Sequence, residues 1–127
     1  MQQATAPAPE SGTADLWPLD VTVMRAAARR LLAEDAELPS DDELDTLILQ
    51  LRGHVMLAIP VVEALAARLA ENDVPRACAH ASVGEAHTRL GLEPRHVLPA
   101  RIAHAQRLAR SVTALCDHYE NLCEAQP

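Results

Sequence analysis

Two long stretches of regularly spaced aliphatic side chains constrain the fold of this chain more than any other feature. In both stretches the apolar residues recur every three or four positions, the spacing that aligns them on one face of an α-helix. Two such helices must bury these faces, and the pattern predicts that they pack against each other, antiparallel, in one core. The first row is Leu44, Leu47, Leu51, Val55, Ala58, Val62, Leu65 and Leu69, and the second is Ile102, Ala105, Leu108, Val112, Leu115, Tyr119 and Leu122.

A shorter helix is predicted to precede the first of these rows. It covers residues 21–34, where apolar side chains again recur at helical spacing. Asp20 is placed to accept a hydrogen bond from the first free amide groups, which makes it the expected N-cap. The basic residues Arg25, Arg29 and Arg30 fall on the opposite side of this helix, and we expect that side to face solvent.

The second helix is predicted to follow Ser40 and to close at Asn72-Asp73. Ser40 and Glu43 have the spacing of a capping box, in which each side chain bonds the backbone amide of the other residue. Pro60 lies inside the apolar row and removes one helical hydrogen bond. We therefore expect Pro60 to kink the helix or to split it in two.

Two further helices are predicted over residues 73–90 and 99–124, joined by a loop that includes Glu93 to His96. Asp73 is the expected N-cap of the third helix, and Gly91 is its natural stop. The third helix is apolar on two sides, which predicts that it lies between neighbours on both. One side carries Ala77, Cys78, Ala81, Gly84 and Thr88, and the other carries Val83, Ala86 and Leu90.

Composition supports an all-α fold. Hydrophobic residues make up 49% of the 127, with no Phe, so Leu, Val, Ile and Ala must fill the core. Ala and Leu are strong helix formers, whereas strands favour β-branched and aromatic residues. We predict a single domain over residues 16–125, a four-helix bundle-like arrangement. Residues 1–15 lack periodicity and are rich in Ala, Pro and Thr, which predicts a disordered tail.

Charge and hydropathy weigh against two classes of function. The net charge of −7 repels the phosphate backbone, and the aromatic content of 2% leaves few side chains for stacking on bases, so nucleic-acid binding is not expected. The most apolar stretch, residues 55–62, is much shorter than the ~20 residues of a membrane span. Residues 1–13 lack the features of a signal peptide. A cytoplasmic location without membrane association is the expectation.

The cysteines and histidines do not form a recognisable site in the sequence. Cys78, Cys116 and Cys123 are odd in number, and no two have the spacing of a metal or redox motif. No pair of the six histidines is four residues apart, the spacing at which one helix chelates a metal. We expect no metal and no cofactor, and we expect histidines at the rim of the core. A metal-responsive protein is the least favoured of three functional hypotheses.

A small-molecule site would have to be assembled from scattered polar residues. A kink at Pro60 could open a cavity, and the polar candidates for it are Arg52, His54, Glu63, Glu85 and Tyr119. Arg89 and His118 are further candidate ligand-binding residues. A plainer interpretation treats Glu85 and Arg89 as an i, i+4 ion pair and Tyr119 as a core residue whose hydroxyl needs a partner. No spacing selects a catalytic triad, so no catalytic residue is predicted.

Several segments resemble a group of short actinomycete proteins. They are residues 51–60 (LRGHVMLAIP), 73–78 (DVPRAC), 103–112 (AHAQRLARSV) and 115–122 (LCDHYENL). The resemblance extends from about residue 16 to residue 122, and the group carries an uncharacterised-domain label and the automatic name natural product biosynthesis protein. It implies an association with secondary-metabolite loci. It implies no reaction, cofactor or catalytic residue.

The sequence thus favours a non-catalytic helical interaction or regulatory module. Two long apolar rows and the lack of a convergent polar set support this hypothesis, with a second copy of the chain or another protein as the partner. The alternative is a small-molecule binder or small enzyme of a biosynthetic pathway, with a cavity near Pro60. That alternative requires a hollow of about 300 Å³ or more that is lined by converging polar groups.

Overall fold

A computed structural model describes residues 19–126 as an all-α domain. Its four helices are α1 (Val21–Leu32), α2 (Asp41–Ala66), α3 (Val74–Leu90) and α4 (Leu98–Ala125). The predicted fold class is confirmed, and the bounds of α1, α3 and α4 lie within two residues of the prediction. The predicted tail, residues 1–15, lies outside the described range.

The long helices α2 and α4 form the centre of the bundle and run parallel. Arg101 at the start of α4 binds Asp41 at the start of α2 at 2.8 Å, and Gln126 after the end of α4 donates to the carbonyl of Leu65 at 3.3 Å. The predicted antiparallel orientation was wrong. Because each short connection reverses the chain, α3 turns it back once more, and α4 repeats the direction of α2.

The shorter helices lie against the α2–α4 pair and run in the opposite direction. Helix α1 packs Met24, Ala28 and Leu31 into the core, while α3 packs Ala79, Val83 and Ala86. Each row of the long helices supplies the rest of the core, with Leu51 and Leu115 completely buried. Burial of these aliphatic side chains is the main stabilising contribution, at about 25 cal/mol per Å² of apolar surface.

Two of the three arginines of α1 hold the helix to its neighbours instead of facing solvent freely. Arg25 binds Asp117 and Glu120 of α4 at 2.8 and 2.7 Å. Arg30 donates two hydrogen bonds to Glu43 of α2, both at 2.7 Å. The expectation of a solvated face was wrong for these two residues, because long arginine side chains on a short helix reach the acidic residues of both neighbours.

The capping box of α2 is half formed. Ser40 Oγ accepts from the amide of Glu43 at 3.2 Å, as predicted, but the Glu43 carboxylate binds Arg30 instead of returning to the cap. Hydrogen bonds from Arg30 hold the pKa of Glu43 below its usual value. Asp20 caps α1 as predicted, by accepting from the amide of Val23. Asp73 precedes α3 without a side-chain cap bond.

Helix α2 continues through Pro60, so the alternative of two separate helices was wrong, and the kink stays a prediction. The helix ends at Ala66, several residues before the predicted boundary. Proline has no backbone N–H, so one carbonyl of the preceding turn has no helical partner. Pro60 is exposed, so this break in the hydrogen bonds lies on the side of α2 that water can reach.

The small side chains of α3 face solvent, which corrects the prediction that this helix lies between two neighbours. All five of them, namely Ala77, Cys78, Ala81, Gly84 and Thr88, are exposed. Small apolar side chains lose little when they contact water, so a row of them does not require a neighbour in the way that a row of leucines does.

Removal of side-chain volume at Leu51 tests the buried row of α2. Leu51→Ala is expected to lower the free energy of unfolding by about 2–5 kcal/mol, because it leaves a cavity in the core. The matched control is Leu38→Ala at a residue that is 79% exposed, which should change stability by less than about 0.5 kcal/mol. Urea unfolding followed by circular dichroism measures both, and equal effects would contradict this packing.

Candidate functional site

Helix α2 has a second apolar face, which the bundle leaves uncovered. Leu49, Met56 and Leu57 are 71%, 58% and 58% exposed, and they lie on one side of the helix with exposed Gly53 and Pro60. At 100° per residue these five positions fall within an arc of about 100°. We call them the outer apolar strip. Exposed apolar side chains that adjoin one another mark candidate docking surfaces, so this strip is one.

The apolar residues on both faces, together with its length, make α2 the one candidate membrane span among the described residues. Of its 18 most apolar consecutive residues, 39% are buried inside the bundle. Core helices of soluble proteins often pass this test. The inner face of α2 forms the core with α4, so its apolar character has a use inside the bundle.

A hollow of about 630 Å³ lies beside the strip, between α2, the start of α4 and the α3–α4 loop (residues 91–97). We call it the loop hollow. Its walls combine apolar, basic and acidic side chains, namely Asp45, Ile48, Leu49, Arg52, Leu92, Glu93, Pro94, His96, Arg101 and His104. An adjoining hollow of about 320 Å³ shares Leu92, Glu93, Pro94 and His104. Leu49 belongs to both the strip and the loop hollow.

His104 is the most deeply buried polar residue of the loop hollow. It is only 4% exposed, so the expectation of a rim position was wrong for this histidine. Burial lowers its pKa, and the positive charges of Arg52 and Arg107 lower it further. The neutral imidazole is therefore favoured, and it can donate through one ring nitrogen and accept through the other.

The two arginines of the loop hollow differ in their partners. Arg101 binds Asp41 and Asp45, which neutralise its charge. Arg52 is partly buried and donates to the backbone carbonyl of Leu90 at 2.9 Å, and it makes no ion pair with another residue in the range 19–126. Arg52 thus holds the end of α3 to the middle of α2 and leaves a positive charge at the hollow.

The predicted pair Glu85 and Arg89 is formed, but Arg89 also makes stronger contacts. Its guanidinium lies 3.6 Å from Glu85, whereas it donates to Ser111 Oγ at 2.9 Å and to the Arg107 carbonyl at 3.1 Å. Ser111 is 2% exposed. Arg89 therefore satisfies a buried hydroxyl and a carbonyl of α4, which is a structural contact between α3 and α4.

The remaining sequence-predicted site residues are dispersed. The Tyr119 hydroxyl accepts from the amide of Leu19 at 3.3 Å and anchors the segment before α1, while burial raises its pKa. His118 lines a separate hollow of about 350 Å³ between α3 and α4. His54 is partly buried and Glu63 is exposed, and neither lines a hollow described above. Pro60 also lines none of them, so the cavity expected beside it is not among these hollows.

The three cysteines differ in their burial. Cys116 is buried, and burial raises the pKa of its thiol, whereas Cys78 and Cys123 are exposed. All three are free thiols. Within residues 19–126, no group of three or more His, Cys, Asp or Glu side chains is arranged to hold a metal ion.

The chain matches the model of a family of unknown function, DUF6415, over residues 22–124. This span includes all four helices. The chain belongs to DUF6415. No curated protein and no solved structure matches the chain. Membership in DUF6415 agrees with the resemblance to an uncharacterised-domain family and brings no activity with it.

Two features of this DUF6415 protein were missed at the sequence level although signals for them are present. The outer strip is visible as Leu49, Met56 and Leu57, which fall outside the regular row of the second helix. His104 borders the apolar row of the fourth helix, one residue before Ala105. The side of a helix that a neighbour covers depends on tertiary packing, which the spacing of one helix does not determine.

The pH dependence of stability tests the burial of His104. A lowered pKa means that the unfolded state binds more protons once the pH falls below the ordinary value of 6.5. The contribution of neutral His104 to the free energy of unfolding is thus fully present above pH 6.5, and it is lost as the pH falls through the lowered pKa. Urea unfolding at roughly pH 8 and roughly pH 5.5 brackets the range in which His104 takes up its proton. Between these two conditions, the free energy of unfolding should fall less for His104→Gln than for the wild type.

His87→Gln is the control for that experiment, because His87 is an exposed histidine of the neighbouring helix α3. Its loss of stability on acidification should equal that of the wild type. An identical loss in all three proteins would contradict a buried, preferentially neutral His104.

The contact between Arg89 and Ser111 has a testable structural role. Arg89→Met is expected to lower the free energy of unfolding by about 1–3 kcal/mol, because the buried Ser111 hydroxyl loses its partner. Adding Ser111→Ala should recover part of this loss by removing the orphaned group. Chemical denaturation of both single variants and the double variant measures the coupling, and strictly additive effects would contradict the contact.

Proposed function

We propose that this DUF6415 protein is a non-catalytic helical interaction module that binds a protein partner through the outer apolar strip of α2. The observation that carries the proposal is that α2 has two apolar faces, one buried in the core and one exposed. Its inner row is the centre of the core, and its outer face exposes Leu49, Met56 and Leu57. Covering these side chains would add to stability at about 25 cal/mol per Å² of apolar surface removed from water.

The positions of the polar candidates support a non-catalytic role. Arg52, Arg89 and Tyr119 each hold two parts of the bundle together through a backbone group or a buried hydroxyl. Side chains with structural partners are less available for a substrate. A catalytic site would instead bring an acid, a base or a nucleophile within hydrogen-bond distance of one another.

The setting of this interaction is also part of the proposal. The resemblance to natural product biosynthesis proteins of actinomycetes suggests a supporting role at a secondary-metabolite locus, by contact with another protein of the pathway or with a second copy of the chain. We propose a cytoplasmic location, because the apolar helix α2 has a partner in α4 on its inner side and a protein surface as its proposed partner on the other.

A second candidate function is the binding of a small amphipathic anion in the loop hollow. A specific observation favours it, since the hollow combines Arg52, which makes no ion pair within residues 19–126, the buried imidazole of His104 and the apolar side chains of Ile48 and Leu92, with Glu93 adding one negative charge to its wall. Its volume of about 630 Å³ lies in the range of small-molecule sites. Chemical-shift changes of His104 on titration with octanoate would support it, and unchanged shifts would contradict it.

Replacement of Met56 tests the proposed docking surface. Met56→Asp places a charge in the strip without touching the core, so the protomer should stay folded while its protein partner is lost. Affinity capture from the native host, with the wild type as reference, identifies the retained proteins, with the chain itself counted among them. A partner bound equally by the wild type and by Met56→Asp would contradict the role of the strip.

Val74→Asp is the matched control. Val74 is 71% exposed on α3, away from the strip, so the same substitution there should leave the captured proteins unchanged. Circular dichroism of both variants checks that they remain helical.

A further inference from the structure

We infer that the occupant of the outer apolar strip is the same strip of a second copy, packed antiparallel about a two-fold axis. This inference rests on the proposed function and names its partner. In the pairing that we derive, Leu49 of one copy lies against Pro60 of the other, and Gly53 lies against Met56. Such an interface is isologous, so each contact occurs twice.

The shape of the strip is self-complementary in this pairing. Gly53 has no side chain, and a Cβ built there meets nothing within 4 Å inside the protomer, so it marks an open notch on the outer face. Met56, one turn further, is 58% exposed and protrudes. An antiparallel pair places each methionine over the notch of the other copy. The strip from Leu49 to Pro60 is about 16 Å long at 1.5 Å per residue.

The charges at the two ends of the strip select the antiparallel direction. Exposed Asp42 lies on the line of the strip at its amino end, and exposed Arg68 lies beyond its carboxyl end. Neither makes an ion pair with another of residues 19–126. Antiparallel packing brings each Asp42 to the Arg68 of the other copy. Parallel packing would instead place the acidic first turns side by side, where like charges repel.

One like-charge approach in this pairing is already compensated. Glu63 of the second copy comes nearest to Asp45, and Asp45 is bound by Arg101. Arg52 lines the loop hollow at that side of the strip and makes no ion pair with another of residues 19–126, so its positive charge faces the incoming Glu63. The five residues of the strip itself are all uncharged.

Sedimentation equilibrium over a range of protein concentrations tests the notch. The wild type should form a dimer, and Gly53→Leu should weaken it roughly 100-fold, because the new side chain occupies the space of Met56. Gly84→Leu is the matched control, since Gly84 is also an exposed helical glycine with nothing within 4 Å of its Cβ. Its dimerisation constant should equal that of the wild type.

A charge exchange tests the direction and the register. Asp42→Arg and Arg68→Asp should each weaken the dimer about 10-fold, because each creates two like-charge contacts in place of two ion pairs. A mixture of the two variants should form a heterodimer of nearly wild-type strength, because all its end contacts are again between opposite charges. A dimerisation constant that neither substitution changes would overturn the register.

The outcomes separate this inference from the proposed function. A chain that is monomeric at every concentration, but loses another captured protein on Met56→Asp, would overturn the second copy as occupant and leave the docking surface intact. Cosedimentation of the monomer with lipid vesicles, abolished by Met56→Asp, would overturn the inference in favour of a membrane. A dimer that is unaffected by Met56→Asp would overturn both the inference and the assigned surface.

Discussion

Burial of the apolar row of α2 against α4 is the interaction on which the rest of the structure depends. The two helices run parallel and supply most of the fully buried leucines and valines, while α1 and α3 close the two sides of the pair. Polar contacts then fix the relative positions of the helices. Arg101 joins the two amino ends, Arg25 and Arg30 hold α1, and Arg52 and Arg89 hold α3.

Arginine is the only strong base in this chain, and its distribution explains why few polar groups are left for chemistry. The planar guanidinium can satisfy a carboxylate or two oxygens at once, which suits contacts between helices. Most of the arginines that contact another helix bind a carboxylate or two oxygen atoms at once. The outer apolar strip of α2 gathers three large exposed apolar side chains on one face of one helix, and for that reason it is the feature that points to a partner.

Helix positions could be predicted from the sequence, but their arrangement could not. The spacing of apolar residues and the caps at Asp20 and Ser40 are local properties, and they located the helices well. The direction of α4 relative to α2 depends on which helices become neighbours, which no single row encodes. The partners of Arg30 and Arg89 were missed for the same reason, since they lie on other helices. Candidate ligand residues were chosen by type, and most proved to have structural partners.

Met56 allows the most direct test of the central claim, that α2 keeps its outer face for a partner, and Met24 of α1 is the buried reference. Met24 is 1% exposed and Met56 is 58% exposed. The rate of oxidation by hydrogen peroxide, read by mass spectrometry, should be slow for Met24 at all protein concentrations. Met56 should oxidise rapidly in dilute protein and become protected as the concentration rises. Oxidation of Met56 as slowly as Met24 in dilute protein would contradict an exposed outer face of α2, and oxidation of Met56 at one unchanging rate would contradict a second copy of the chain as its partner.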